Sequence, residues 1–102
     1  MKLYIDTSSN QKTIIRLDEE ELVENSQPLH SQVVLPMIEE LLYKRKKTLQ
    51  DITNIEVNEG PGSFTGLRVG VSIANALGYA LRVPVNGKKP WEMEIVEPNY
   101  EV

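Results

Sequence analysis

Cysteine is absent from the sequence, which excludes a disulfide framework, a thiolate zinc site and a thiol nucleophile. Histidine occurs once, as His30, so no metal site can be built from several imidazoles. Positive charge is scarce. Eleven Lys and Arg stand against fifteen Asp and Glu, a formal net charge of -4. A basic nucleic-acid footprint over the whole surface is thereby excluded, and no direct nucleic-acid binding is expected. No apolar run approaches the ~20 residues of a membrane span, so no membrane association is expected. Met1-Lys2-Leu3-Tyr4-Ile5-Asp6 is too polar and too short for a signal peptide. A cytoplasmic protein is the expectation, with no internal repeat and no low-complexity segment. What is present is ordinary: 102 residues, 40% apolar and 25% charged. That suits one domain over residues 1–102, able to bury a core without staples.

Lys2–Ile5, Lys12–Leu17 and Glu21–Asn25 read as three short strands of an antiparallel meander, with polar turns at Asp6–Asn10 and Asp18–Glu20. A helix is expected from about Ser31, a candidate N-cap, to Lys47, where four basic residues suit the dipole. Pro36 predicts a bend, or a helix that starts there. Thr48–Asp51 has capping-box spacing and predicts one helical turn. Asn54–Asn58 reads as a strand and Phe64–Leu81 as a second long helix. Val83-Pro84-Val85 reads as a strand. Trp91–Val96 alternates weakly and reads as one more strand, and the residues from Glu97 read as a tail. The order β-β-β-α-β-α-β predicts an α/β protein with a mixed sheet and helices packed on it. The passage from Asn54 to Val85 predicts a right-handed crossover between parallel strands.

Both helices carry broad apolar surfaces. At about 100° per residue, Val33, Val34, Leu35, Met37, Ile38, Leu41 and Leu42 cover an arc of roughly 200°. On the second helix the polar wedge holds only Thr65, Arg68, Ser72, Asn75 and Tyr79. Gly66, Gly70, Ala74 and Gly78 form a stripe of small residues; Val69, Ile73, Ala76 and Ala80 form another apolar stripe. The two helices either bury these faces against each other and the sheet, or present one of them to another protein. The surplus in so small a chain favours an interface, assigned to Val33, Met37, Leu41, Val69, Ile73, Ala76 and Ala80.

Gly60-Pro61-Gly62-Ser63-Phe64-Thr65-Gly66 follows a strand and opens a helix, a place where exposed amides can hold an anion. It lacks the Lys-Ser/Thr pair of a phosphate-binding P-loop, and Gly66 falls one residue late for the dinucleotide pattern. A rigid strand-to-helix turn, with Gly62 at positive φ, is the favoured local reading. Asp6-Thr7-Ser8 could hold a metal-bound phosphate, or could simply satisfy its own backbone as an Asx turn. Ser63 and His30 sit in no nucleophile elbow, so a serine hydrolase is not supported.

Ile5–Asn10, His30-Ser31 with Leu35-Pro36 and Leu41-Leu42, and above all Gly60-Pro61-Gly62-Ser63-Phe64-Thr65-Gly66-Leu67-Arg68 resemble the TsaB (YeaZ) family over residues 2–87. The resemblance implies a single lobe of the ASKHA, actin-like ATPase fold, which is ribonuclease H-like. It implies a noncatalytic scaffold in the synthesis of tRNA N6-threonylcarbamoyladenosine (t6A37). The implied partners are a TsaD-like transferase, a TsaE-like ATPase joining through the complex, and a second copy when alone, engaged through the two long helices. Family members continue into a second lobe. Here Glu97-Pro98-Asn99-Tyr100 resembles the family's own ending, which implies a natural one-lobe version with residues 88–102 as a C-terminal extension. With nothing opposite it, Asp6-Thr7-Ser8 would be a vestigial phosphate turn, and no cofactor or metal is expected. The alternative is a small phosphate- or nucleotide-binding hydrolase using Asp6 and the Gly60–Gly66 loop.

Overall fold

The computed structural model describes residues 1–25 and 30–99. The elements are β1 (Lys2–Asp6), β2 (Lys12–Leu17), β3 (Glu20–Asn25), α1 (His30–Lys44), β4 (Asn54–Val57) and α2 (Phe64–Leu81). Short 3-10 turns lie at Leu49–Asp51 and Pro90–Glu92. The sheet order is β3-β2-β1-β4, antiparallel except for the parallel pair β1 and β4. This is the mixed α/β architecture the sequence predicts.

The period of two decides which face is covered. Leu3, Ile5, Ile15, Leu17, Ile55 and Val57 are all buried, and register places them side by side: Leu3 between Leu17 and Ile55, Ile5 between Ile15 and Val57. Residues one step along point to the other face. There Arg16 stacks over the Tyr4 ring at 4.7 Å, and Lys2 pairs with Glu56 at 3.1 Å. Strand β3 is the outer strand of the sheet, and only Leu22 along it is partly covered.

Helix α1 starts at His30, so Ser31 lies in its first turn and is not its cap. The helix runs on through Pro36 to Lys44. An interior proline costs about 3 kcal/mol. Burial of Val34, Met37, Ile38, Leu41 and Leu42 outweighs it, at about 1.5–3 kcal/mol for each large side chain. The expected second face of α1 is therefore mostly internal, because the helix lies against β2, β3 and α2 together. Thr48–Asp51 forms the expected turn, with the Thr48 amide donating to the Asp51 carboxylate at 2.8 Å.

Helix α2 has the predicted limits, with Ser63 as N-cap. The strand expected at Val83–Val85 shrinks to a single parallel bridge between Ile55 and Val85. Asn86 is the reason. Its amide donates to the Ile55 carbonyl at 2.9 Å, and its backbone then turns away at φ 49°. Its side chain takes over the ladder. The Val57 amide donates to Oδ1 at 2.9 Å, and Nδ2 donates to the Val57 carbonyl at 3.0 Å.

The strand expected at Trp91–Val96 is also absent. The chain makes a 3-10 turn there and then runs back along α2. Asn75, expected in the solvent-facing wedge, holds this run. Its Nδ2 donates to the Val96 carbonyl at 2.9 Å, and the Val96 amide donates to its Oδ1 at 3.1 Å. Val96 itself is core. Nor are residues 97–99 a loose tail: the Asn99 amide donates to the Glu59 carbonyl at 2.6 Å. The last three residues, 100–102, lie outside the described ones.

Candidate functional site

Parallel pairing of β1 with β4 places the ends of the two strands side by side, Ile5 against Val57. The turns that follow them must therefore meet. The Ser63 amide donates to the Ser8 carbonyl at 2.8 Å, and Asn58 Nδ2 donates to Ser8 Oγ at 3.2 Å. The sequence-predicted turn and glycine loop are thus brought together and joined at Ser8 and Ser63.

Asp6 Oδ1 accepts from the Ser8 amide at 2.9 Å and from Ser8 Oγ at 2.6 Å, while Oδ2 accepts from the Tyr4 hydroxyl at 3.3 Å. Burial alone would raise the pKa of Asp6. The hydrogen bonds from Ser8, Asn58 and Tyr4 outweigh it and hold the carboxyl below its usual range. Several of the loop amides are occupied as well. Gly60 donates to Asn58 Oδ1 at 3.0 Å, Gly66 to Ser63 Oγ at 3.4 Å, and Leu67 to the Ser63 carbonyl at 2.8 Å. The arrangement is an Asx turn locked to a helix entry, as the structural reading of the sequence has it. Among the described residues no cluster of three or more His, Asp or Glu is placed to hold a metal.

Gly62 does not have the positive φ expected of it; Gly60 does, at 115°. Gly62 is required for proximity instead. A Cβ there would lie 2.7 Å from the Ser8 Cβ and 2.8 Å from the Ser8 carbonyl oxygen. The small stripe of α2 is likewise internal. Thr7, fully buried, donates from Oγ1 to the Gly66 carbonyl and accepts from the Gly70 amide at 3.1 Å. Gly78 leaves room for Val85 and Pro90. His30 packs beside Gly66 and lies 2.5 Å from Thr13 Oγ1 through its Nδ1. His30 and Ser63 thus both have structural roles.

The interface residues expected from sequence divide into two groups. Met37 and Leu41 are 0% and 1% exposed, so they belong to the core and cannot meet a partner. The period-3.6 pattern identifies them as apolar, and only packing against the sheet decides which side they take. Val33, Val69 and Ile73 are half-buried, and Ala76 and Ala80 are exposed. Between α1 and α2 lies an open cavity of about 410 Å³, lined by Ser31, Thr65, Arg68, Val69, Ser72 and Ile73. Phe64 and Tyr79 are 56% and 61% exposed along the same helix. Sequence reasoning set Thr65, Arg68 and Ser72 aside as a solvent wedge. Their spacing of three and four residues beside Val69 and Ile73 is the signal that they share one mixed surface.

Comparison with known proteins agrees with this fold. Residues 22–95 match the family model of TsaD, tRNA N6-adenosine threonylcarbamoyltransferase. The chain is 40% identical over 58 residues to the tRNA threonylcarbamoyladenosine biosynthesis protein TsaB of Escherichia coli (strain K12), covering 57% of this chain and 25% of that protein. It is 35% identical over 88 residues to TsaB of Bacillus subtilis (strain 168), covering 82% and 38%. Among solved structures, YeaZ from Pseudomonas aeruginosa superposes with a TM-score of 0.71 at 32% identity, covering 82% of this chain and 41% of that one. The chain spans about a third of the length of the curated relatives it matches. The sheet, the helices and the Gly60–Arg68 run together make this chain a member of the TsaD-type tRNA N6-adenosine threonylcarbamoyltransferase family, in its TsaB (YeaZ) group.

Proposed function

We propose that this chain is a noncatalytic subunit of the machinery that makes tRNA N6-threonylcarbamoyladenosine in the cytoplasm. It acts as a scaffold that binds a TsaD-like transferase. The observation that carries the reading is the surface of α2. Val69 and Ile73 are only half covered, and Ala76, Tyr79 and Ala80 are exposed beside them. Soluble proteins rarely leave such a contiguous apolar stripe without a partner. The biosynthetic role named for the curated relatives supports the pathway, and the internal use of Asp6, Thr7 and Ser8 supports the absence of catalysis. The same face would pair two copies of the isolated chain, and a TsaE-like ATPase would join through the transferase. The alternative, a phosphate-binding hydrolase, finds little support in a loop whose Gly60, Ser63 and Gly66 amides are already bonded.

Ile73 also packs on the core, so an Ile73→Asp variant would confuse folding with binding. Ala76 is exposed and gives the cleaner test. Ala76→Arg is expected to keep the wild-type circular dichroism and melting temperature and to lose co-purification with a TsaD-type transferase. Retention of the transferase by this variant would remove the α2 face from the reading.

A further inference from the structure

Arg68 is the one charged residue in the 18 residues of α2. It lines the cavity between α1 and α2 beside Val69 and Ile73, with the hydroxyls of Ser31, Thr65 and Ser72 around it. No acidic side chain among the described residues lines that cavity. Among the described residues the ion pairs are Lys2–Glu56, Arg16–Glu21, Lys44–Glu40 and Arg45–Asp18, none of which involves Arg68. Its contact is with the exposed ring of Phe64, 5.6 Å from the guanidinium carbon. Arg68 thus stands at the edge of the groove, exposed and with its charge facing no acidic partner among the described residues.

A guanidinium in this position is tolerated while water reaches it. A partner that covered Val69, Ser72 and Ile73 would remove much of that water. Covering a charge without a counter-charge is strongly unfavourable, whereas a carboxylate can accept two parallel hydrogen bonds from the guanidinium fork. We infer that the partner of the α1–α2 face places an aspartate or glutamate, flanked by small or aliphatic residues, into this groove to pair with Arg68. The inference rests on the docking reading given above and adds the chemistry of the partner surface to it. A second copy paired through this face would leave Arg68 without a carboxylate, so the homodimer of the isolated chain is expected to be the weaker assembly. Helix α2 has no acidic residue to offer, and the nearest exposed carboxylates of α1, Glu39 and Glu40, line a different surface, with Glu40 already paired to Lys44.

The test is calorimetric binding of the full chain to a purified TsaD-type transferase, at low and at high salt. Wild type is compared with Arg68→Gln, Arg68→Lys and Ala76→Arg. Arg68→Gln is expected to weaken binding by about thirtyfold or more, the usual effect of truncating one member of a covered charge pair. The salt dependence should flatten with it. Arg68→Lys should recover part of the affinity, because it restores the charge without the fork. If Arg68→Gln binds as wild type while Ala76→Arg does not, the face is right and the carboxylate is refuted. If Ala76→Arg also binds as wild type, the docking reading fails and this inference falls with it. A homodimer of the wild-type chain that Arg68→Gln converts to monomer, seen by light scattering, would assign the acid to a second copy and overturn the heterotypic pairing.

Discussion

Thr7 shows how a single hydroxyl can fix a helix onto a sheet. Its Oγ1 lies between the Gly66 carbonyl and the Gly70 amide, the two ends of one helical hydrogen bond, so α2 cannot slide along β1 without losing both contacts. A Cβ at either glycine would collide with Thr7, which is why two glycines are tolerated inside a helix despite a propensity cost of about 1 kcal/mol each. Gly62 obeys the same logic one loop earlier. Gly62→Ala should lower stability by about 1–3 kcal/mol through overpacking against Ser8. A fall in melting temperature of at least about 4 °C would register it; an unchanged melt would show that the loop yields. Asp6 gives a pH prediction. Its folded pKa lies below the ordinary value of 3.8, so its contribution is complete above that value and disappears as pH falls through the folded pKa. Wild type should therefore exceed Asp6→Asn in urea midpoint at neutral pH, by a constant margin down to about pH 5. The margin should shrink as the solution is acidified further. A margin that grows on acidification would contradict the cause assigned here.

Among the elements, two asparagines decide how the chain leaves its regular structure. Asn86 ends the pairing of Val85 with β4 and substitutes its side chain for the next strand residue. Asn75 does the equivalent for the segment that runs back along the helix, pairing with both backbone groups of Val96 from the middle of α2. Neither role is visible in a hydrophobic pattern. An asparagine that mimics a peptide group leaves no periodic trace, and its partner lies 21 residues away along the chain in the case of Asn75. Asn75→Ala should leave two backbone groups of the segment unsatisfied, at a cost of about 1–3 kcal/mol. Hydrogen exchange at the Val96 amide should then quicken while the amides of β1 keep their protection. Equal exchange in both proteins would show that Val96 is held by its burial alone.

As a whole molecule the chain is a two-layer unit: both helices lie over one face of a four-stranded sheet, with the loop ends sewn together at Ser8 and Ser63. Three conditions for holding a nucleotide are missing from this surface. The glycine loop has no lysine, its Gly60, Ser63 and Gly66 amides have internal partners, and the Asp6 carboxylate is engaged by Ser8 and Tyr4. The isolated chain should therefore show no saturable ATP binding in calorimetry at micromolar nucleotide. Saturable heat would require the loop to rearrange and would return the hydrolase reading to consideration.

The sequence by itself determined the elements whose signal is local. Alternation in Leu3–Ile5, Thr13–Leu17 and Ile55–Val57 set the strands and their covered face; the run from Phe64 to Leu81 after the glycine loop set α2 to the residue. The nine residues from Gly60 to Arg68 were enough to indicate the family, because a rigid strand-to-helix turn leaves little freedom in residue type. Tertiary structure alone decided what each apolar face meets. Met37 and Leu41 have the same helical spacing as an interface would, yet they lie over the sheet, since periodicity gives the width of an apolar arc and not what covers it. It also decided the fate of Thr7, Ser8 and Gly62. Their roles depend on contacts between residues some 50 to 60 positions apart, and only the parallel pairing of β1 with β4 brings those residues within reach of one another.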